Sequence, residues 1–327
     1  MAEVKLLHVA VAEDGMRLDR WLRRRWPNLS QVQIHKLARS GQLRVDGGRV
    51  KADTRLPAGA TVRVPPLSDA PPPAPREGIS DRDAAFARSL VIYEDDDVII
   101  LNKPAGLAVQ GGTKTTKHID RLLGAWGEGP SRPRLTHRLD RDTSGILLLA
   151  KNPDAAAFLA GGFAKRRAEK TYWALVEGNP KPAQGTIELP LAKVGIDDRE
   201  RMVPSTAKDP NAKPAVTDFA TISRAGPRAT WLALRPHTGR THQLRAHLLA
   251  IGHPILGDPK YNTSESIASS GDLKLQLHAR RLVTPHPTGG LIDIEAPISP
   301  ELKAGFSHFG FELPEALDDP FAGRSRH

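Results

Sequence analysis

The sequence predicts an α+β protein built in two parts: a small mixed domain, then a larger one around a mixed, mostly antiparallel sheet. Three observations carry this. The 327-residue chain is long enough for about two domains. Residues 65–75, PPLSDAPPPAP, hold six prolines, which no regular helix or central strand accommodates, so they read as an extended linker. After residue 89 the chain is rich in long apolar strand patterns with few helices between them.

The first part parses locally. Residues 17–26, RLDRWLRRRW, place Leu18, Trp21 and Leu22 on one helical face and turn the arginines elsewhere. Ser30 with Gln33 forms a capping-box pattern, Ile34, Leu37 and Ala38 form the following stripe, and Gly41 stops it. Asp46-Gly47 predicts a turn between short strands, and residues 61–64 alternate as a closing strand. In the second part, residues 91–103 read as strand, acidic turn, strand. Residues 145–151, GILLLAK, read as a buried strand, 152–164 as a helix, 171–178 and 229–236 as strands, and 239–251 as a short helix.

Composition narrows the function. Residues 1–66 carry thirteen Lys/Arg against six Asp/Glu, so +7 of the formal +10 lies on a fifth of the chain and marks a docking module for an anionic partner. With no cysteine there is no disulfide scaffold, Cys nucleophile or Cys-ligated metal. Apolar runs are too short to span a bilayer and the first residues do not form a secretory signal, so a cytoplasmic protein is expected, with no membrane partner. A P-loop, a dinucleotide fingerprint and a kinase loop set are absent.

Two segments concentrate polar chemistry. HRLDRDTSG, residues 137–145, precedes the buried strand and offers Asp140 and Asp142 as nucleophile or base, flanked by Arg138 and Arg141, which favour an ionised carboxylate. Residue types alone favour an ordinary turn here, with side-chain oxygens capping free N–H groups. RPHTGRTHQLRAH, residues 235–247, places His242 and Arg245 on one helical face; His237, His242 and His247 lack the spacing of a metal site. Tyr172 and Trp173 point to opposite faces of one strand, either as two core aromatics or with one facing a cleft where it can stack on a base.

Taken together, LNKPAGLAVQGG (101–112), HRLDRDTSGILLLAK (137–151), KTYWALVEG (170–178), HTGRTHQLRAHLLAIGHPILGD (237–258) and LHARRLVTPHP (277–287) resemble, in order, the motifs of the RluA-type RNA pseudouridine synthases. Residues 15–64 resemble an S4-type RNA-binding module, of small α/β type. The resemblance implies an S4-like domain over 1–66 and a synthase domain over 89–312; composition adds a Pro-rich linker over 67–88 and a disordered tail over 313–327. It implies Asp140 as the catalytic aspartate, Tyr172 and Arg245 as its active-site support, and Arg138, Arg240 and His242 as RNA contacts in the cleft. Arg23, Arg24, Arg25, Lys36, Arg39 and Arg44 are the expected phosphate contacts of the first domain. No metal or other cofactor is implied. The chain is most similar to the RluC branch, whose substrate is large-subunit (23S) ribosomal RNA. A transfer-RNA substrate and a catalytically silent assembly factor are the alternatives, and a monomer is expected.

Overall fold

The computed structural model describes residues 4–67, 78–111, 115–165, 167–195, 200–206, 208–264, 271–314 and 319–322. The chain divides into two compact units, Met1–Gly78 and Ile79–His327.

The first unit contains β1 (Lys5–His8), β2 (Met16–Arg17), α1 (Leu18–Arg25), α2 (Gln31–Arg39), β3 (Arg44–Val45), β4 (Gly48–Arg49), β5 (Arg55–Leu56) and β6 (Thr61–Val64). A four-stranded sheet runs β1-β6-β3-β4, and β2 pairs with β5. The anticipated apolar faces meet: Leu18, Trp21 and Leu22 of α1 pack with Ile34 and Ala38 of α2. The capping box forms, with Ser30 Oγ accepting from Gln33 N and Gln33 Oε1 accepting from Ser30 N. Asp46 and Gly47 both take positive φ, 46° and 79°, as a two-residue hairpin turn requires.

Glu13 knits this unit together. One carboxylate oxygen accepts from Trp21 Nε1 (2.8 Å), Arg25 Nη2 (2.8 Å) and Ala10 N (3.2 Å). The Arg25 hydrogen bond leads the causes that bring its pKa from 4.5 to about 2. Because the folded value is depressed, its stabilisation is fully present above 4.5 and is lost as pH falls toward about 2. Acidification across that window is expected to raise amide hydrogen exchange in α1. Glu13→Gln is expected to raise it already at pH 7 and to flatten the acid response.

The second unit contains α3 (Asp81–Ser89), β7 (Val91–Glu94), β8 (Val98–Lys103), α4 (Ile119–Leu122), β9 (Arg134–Leu135), β10 (Ser144–Ala150), α5 (Pro153–Ala164), β11 (Glu169–Glu177), β12 (Gln184–Glu188), β13 (Leu191–Val194), β14 (Arg201–Pro204), β15 (Val216–Ala225), β16 (Ala229–Pro236), α6 (Gln243–Ala250), β17 (Leu277–Pro285), β18 (Leu291–Glu295) and α7 (Pro300–Phe309). Its ten-stranded sheet runs β12-β15-β16-β11-β17-β10-β8-β7, with β18 added to β17 and β9 to β10. Among these strands every pairing is antiparallel except β10–β17, which meet in parallel at Ser144↔His278 and Gly145↔Ala279.

Both sheet faces are covered. Ile99, Leu101, Leu147, Leu149 and Ala174 pack with α4 and α6, whereas Ile100, Ile146 and Leu148 pack with α5, and Trp173 and Trp231 pack with Phe306 of α7. The continuous apolar run of β10 follows directly, because a strand buried on both sides needs no polar alternation.

The structure departs from the sequence reading in three places. The expected linker 67–88 ends in helix α3, which Ser80 caps and whose Ala87 and Phe86 join the core of the second unit; residues 68–77 lie outside the described ones. The expected disordered tail contains a docked piece: Phe321 is buried with Trp231 and Phe306, and Asp319 lies 3.2 Å from Arg235. The helix expected over 239–251 begins only at Gln243, because His242 adopts a left-handed conformation. No helix among the described residues is long and apolar enough to cross a membrane.

Candidate active site

The Asp140 loop is fixed from several sides. Upstream, Thr136 Oγ1 donates to Leu148 O (2.7 Å) and His137 Nε2 accepts from Leu148 N (3.0 Å), so side chains continue the β9–β10 ladder. Within the loop Thr143 N donates to Asp140 O at 3.3 Å, a backbone turn. Downstream, Gly145 has φ +106°, and a Cβ there would stand 2.2 Å from Ala279 O of β17. The parallel contact that ends the loop therefore requires glycine.

Beneath the loop lies Lys103, fully buried. Its Nζ donates to the carbonyls of Pro104, Leu107 and Arg141, each at 2.9 Å, and Arg141 Nε donates back to Gly106 O at 3.0 Å. These bonds tie the NKPAG segment to the Asp140 loop. Burial lowers the Lys103 pKa from 10.5 to about 8, and the charges of Asp142 and Asp140 oppose that shift. Arg141 thus has a scaffold role instead of flanking the carboxylate as the sequence suggested.

Opposite the loop stands the start of α6. Arg245 is buried and grips Asp258 with two bonds of 2.7 Å, Nε to Oδ2 and Nη2 to Oδ1. Its remaining Nη1 lies 3.9 Å from Asp140 Oδ2. The arginine expected to pair with the catalytic carboxylate is therefore anchored first to Asp258, which also accepts from the backbone N–H groups of Lys260 and Tyr261. His242 places Nε2 3.9 Å from Asp140 Oδ2 and Nδ1 3.0 Å from Tyr261 Oη, which in turn accepts from Met202 N. Burial lowers the His242 pKa, with Asp140 pulling the other way and Arg245 adding to the drop.

A cleft of about 410 Å³ collects Asp140, Tyr172, Arg245, Arg138, Arg240 and His242. All six residues that the sequence assigned to this region line it. Tyr172 is the cleft-side aromatic, and Trp173 is the core one, edge-on to Trp231 at 4.7 Å. Burial, and then the charge of Asp140, raise the Tyr172 pKa and keep its hydroxyl protonated. Gln243 shapes the cleft wall: its Oε1 accepts from Thr238 Oγ1 and Arg240 N, while its Nε2 donates to Val216 O and Thr217 Oγ1. The three histidines of this motif have separate partners, His237 with Asp218, His242 with Tyr261 and His247 with Thr217 and Leu189 O. No cluster of metal-binding side chains occurs among the described residues.

In the first unit Arg23, Arg24, Lys36, Arg39 and Arg44 are exposed. Arg25 departs from the expected set. Its guanidinium stacks 3.8 Å above the Trp21 ring and pairs with Glu13, so it serves that unit's core. Arg44 donates to the carbonyls of Gly41 and Gly47 while remaining exposed.

Comparison with known proteins agrees with this geometry. Residues 97–250 match the RNA pseudouridylate synthase family, a span that includes Asp140, Tyr172 and Arg245. The ribosomal large subunit pseudouridine synthase C of Vibrio vulnificus (strain CMCP6) is 36% identical over 308 residues, covering 91% of this chain and 95% of that protein. The chain belongs to the RNA pseudouridylate synthase family. Synthases of the same name from Salmonella typhi and Escherichia coli (strain K12) are 36% and 35% identical, each covering 92% of this chain and 95% of the relative. Among solved structures, human RNA pseudouridylate synthase domain containing 4 aligns with TM-score 0.60 at 26% identity, covering 72% of this chain and 99% of that one. Human RNA pseudouridylate synthase domain containing 1 aligns with TM-score 0.55 at 29% identity, covering 65% and 86%.

The protein is thus a pseudouridine synthase, an isomerase acting on RNA. Sequence reasoning did not single out four residues of the synthase site: Lys103, Lys170, Asp258 and Tyr261. Lys103 and Lys170 sit inside the NKPAG and K-x-Y segments, and Asp258 ends the third motif, so the signal was present but carried no assigned role. Tyr261 lies three residues further on, outside every motif.

Proposed function

We propose that this synthase isomerises uridines of large-subunit ribosomal RNA, with Asp140 as the catalytic group. The relatives matched over nine-tenths of the chain bear that substrate in their names. The observation that carries the site assignment is the meeting of Asp140, Tyr172 and Arg245 in one cleft.

Isomerisation requires the uracil to leave C1′, rotate and rejoin through C5. A stacked base cannot do so, and everting it costs a few kcal/mol, less in a loop. Asp140 is half-buried and lines the cleft, placed to act at the sugar as nucleophile or base. Arg245, held rigid by Asp258, and His242 each stand 3.9 Å away, within electrostatic reach of the carboxylate without a short hydrogen bond capping it. The ring of Tyr172 offers a stacking surface for the uracil. Exposed Arg138 beside Asp140, together with Arg240, is placed to hold the opened strand. The first unit, with Arg23, Arg24, Lys36, Arg39 and Arg44 in solvent, fits an S4-like module that grips RNA phosphates.

A pseudouridine map of total RNA from cells lacking this protein is expected to lose specific large-subunit sites. Wild type should restore them and Asp140→Ala should not. Loss confined to transfer RNA would overturn the substrate, and full restoration by the variant would overturn the role of Asp140.

A further inference from the structure

We propose that Lys170 forms a phosphate subsite in the synthase cleft, holding one non-bridging oxygen of the RNA strand that presents the uridine. This rests on the cleft being the place where the uridine is isomerised, and adds a substrate contact to it.

Lys170 precedes Tyr172 by two residues on β11, so both side chains share a face, and both line the cleft. Its ammonium sits 4.2 Å from the centre of the Phe163 ring. Among the described residues its Nζ has no hydrogen bond and no carboxylate partner, unlike the buried or half-buried Arg245 and Arg235 and the tethered Arg240. Arg245 is bound to Asp258, Arg235 to Asp319 with Glu169 at 3.9 Å, and Arg240 to the carbonyl of Pro214. His137, which also lines the cleft, is held neutral by burial and by the charge of Lys170 itself. Burial alone brings the Lys170 pKa from 10.5 to about 8.

A largely buried ammonium without a counter-ion is unfavourable. The cost is offset when the ligand brings a negative charge. In RNA that charge is the phosphodiester, and a lysine is suited to it as a point charge on a flexible stem. The aromatic face holds the ammonium in place until the strand arrives. A phosphate clamped two residues from the stacking tyrosine would keep the nucleotide out of its helix while the base turns.

The test uses the full chain and an unmodified large-subunit RNA transcript carrying tritium at uracil C5, which is released when C5 bonds to the sugar. KM and kcat are measured between about 50 and 200 mM salt. Lys170→Met is expected to raise KM about tenfold or more, leave kcat within about twofold and lower the log–log salt slope by ~0.7, the share of one single-strand phosphate. Lys170→Arg should keep the wild-type slope. If Lys170→Met melts early, Lys170→Gln gives the same readout with the polar tip kept. Unchanged KM and slope would overturn the subsite in favour of simple packing over Phe163. A fall in kcat with KM and slope unchanged would overturn it in favour of proton transfer. Absence of tritium release by the wild type would instead overturn the substrate assignment.

Discussion

Asp140→Asn is expected to lower kcat for pseudouridine formation by at least about 10³-fold, with the melting temperature and RNA affinity close to wild type. Of the carboxyl groups lining the cleft, that of Asp140 stands 3.9 Å from both Arg245 and His242, and no short bond occupies its Oδ2 among the described residues. The amide is nearly the same size, so the loop keeps its shape: Lys103, Thr136, His137 and Gly145 position it through bonds that do not involve the Asp140 side chain. Arg245 keeps its place because its two short bonds go to Asp258. Single-turnover kinetics together with a thermal melt check both halves. A variant retaining more than a tenth of wild-type turnover would contradict the assignment.

Asp258→Ala is expected to be the most damaging single change to the synthase unit's stability. It strands a buried guanidinium and removes the acceptor for two backbone N–H groups, those of Lys260 and Tyr261. Breaking a buried pair from one side costs about 3–5 kcal/mol, or a melting point lower by about 10 °C for a unit of this size. Activity should fall with it, since Arg245 loses the anchor that aims Nη1 at Asp140. The double variant Arg245→Met/Asp258→Leu removes the stranded charge and should recover much of the stability but none of the activity. Calorimetry on the three proteins separates the structural from the catalytic part. If Asp258→Ala melts within about 2 °C of wild type, the pair does not anchor Arg245.

Much of this architecture is legible in the residues. The GILLLAK run announces a strand buried on both faces, Ser30 with Gln33 announces a helix start, and Asp46-Gly47 a hairpin. The cleft residues are legible because the chemistry confines them to short segments on either side of β10 and α6. What stays hidden is polar and long-range. Strand β15 escapes a period-two reading because buried Thr217 and Asp218 serve Gln243, His247 and His237 instead of the apolar core. Lys103 reads as a surface lysine until three carbonyls converge on it. Arg25 is indistinguishable from Arg23 and Arg24 in the sequence, and only the fold brings Glu13 to it. Phe321 anchors part of the tail through contacts with Trp231 and Arg235, remote in sequence from it.

The most direct test of the central claim is the identity of the product made by purified protein on unmodified large-subunit RNA. Digested to nucleosides and resolved by mass and retention, the RNA should contain pseudouridine of the same mass as the uridine consumed, with no free uracil, and Asp140→Asn should leave the uridine intact. Release of free uracil or a sugar fragment would contradict isomerisation in this cleft and would mean that the site hydrolyses the glycosidic bond.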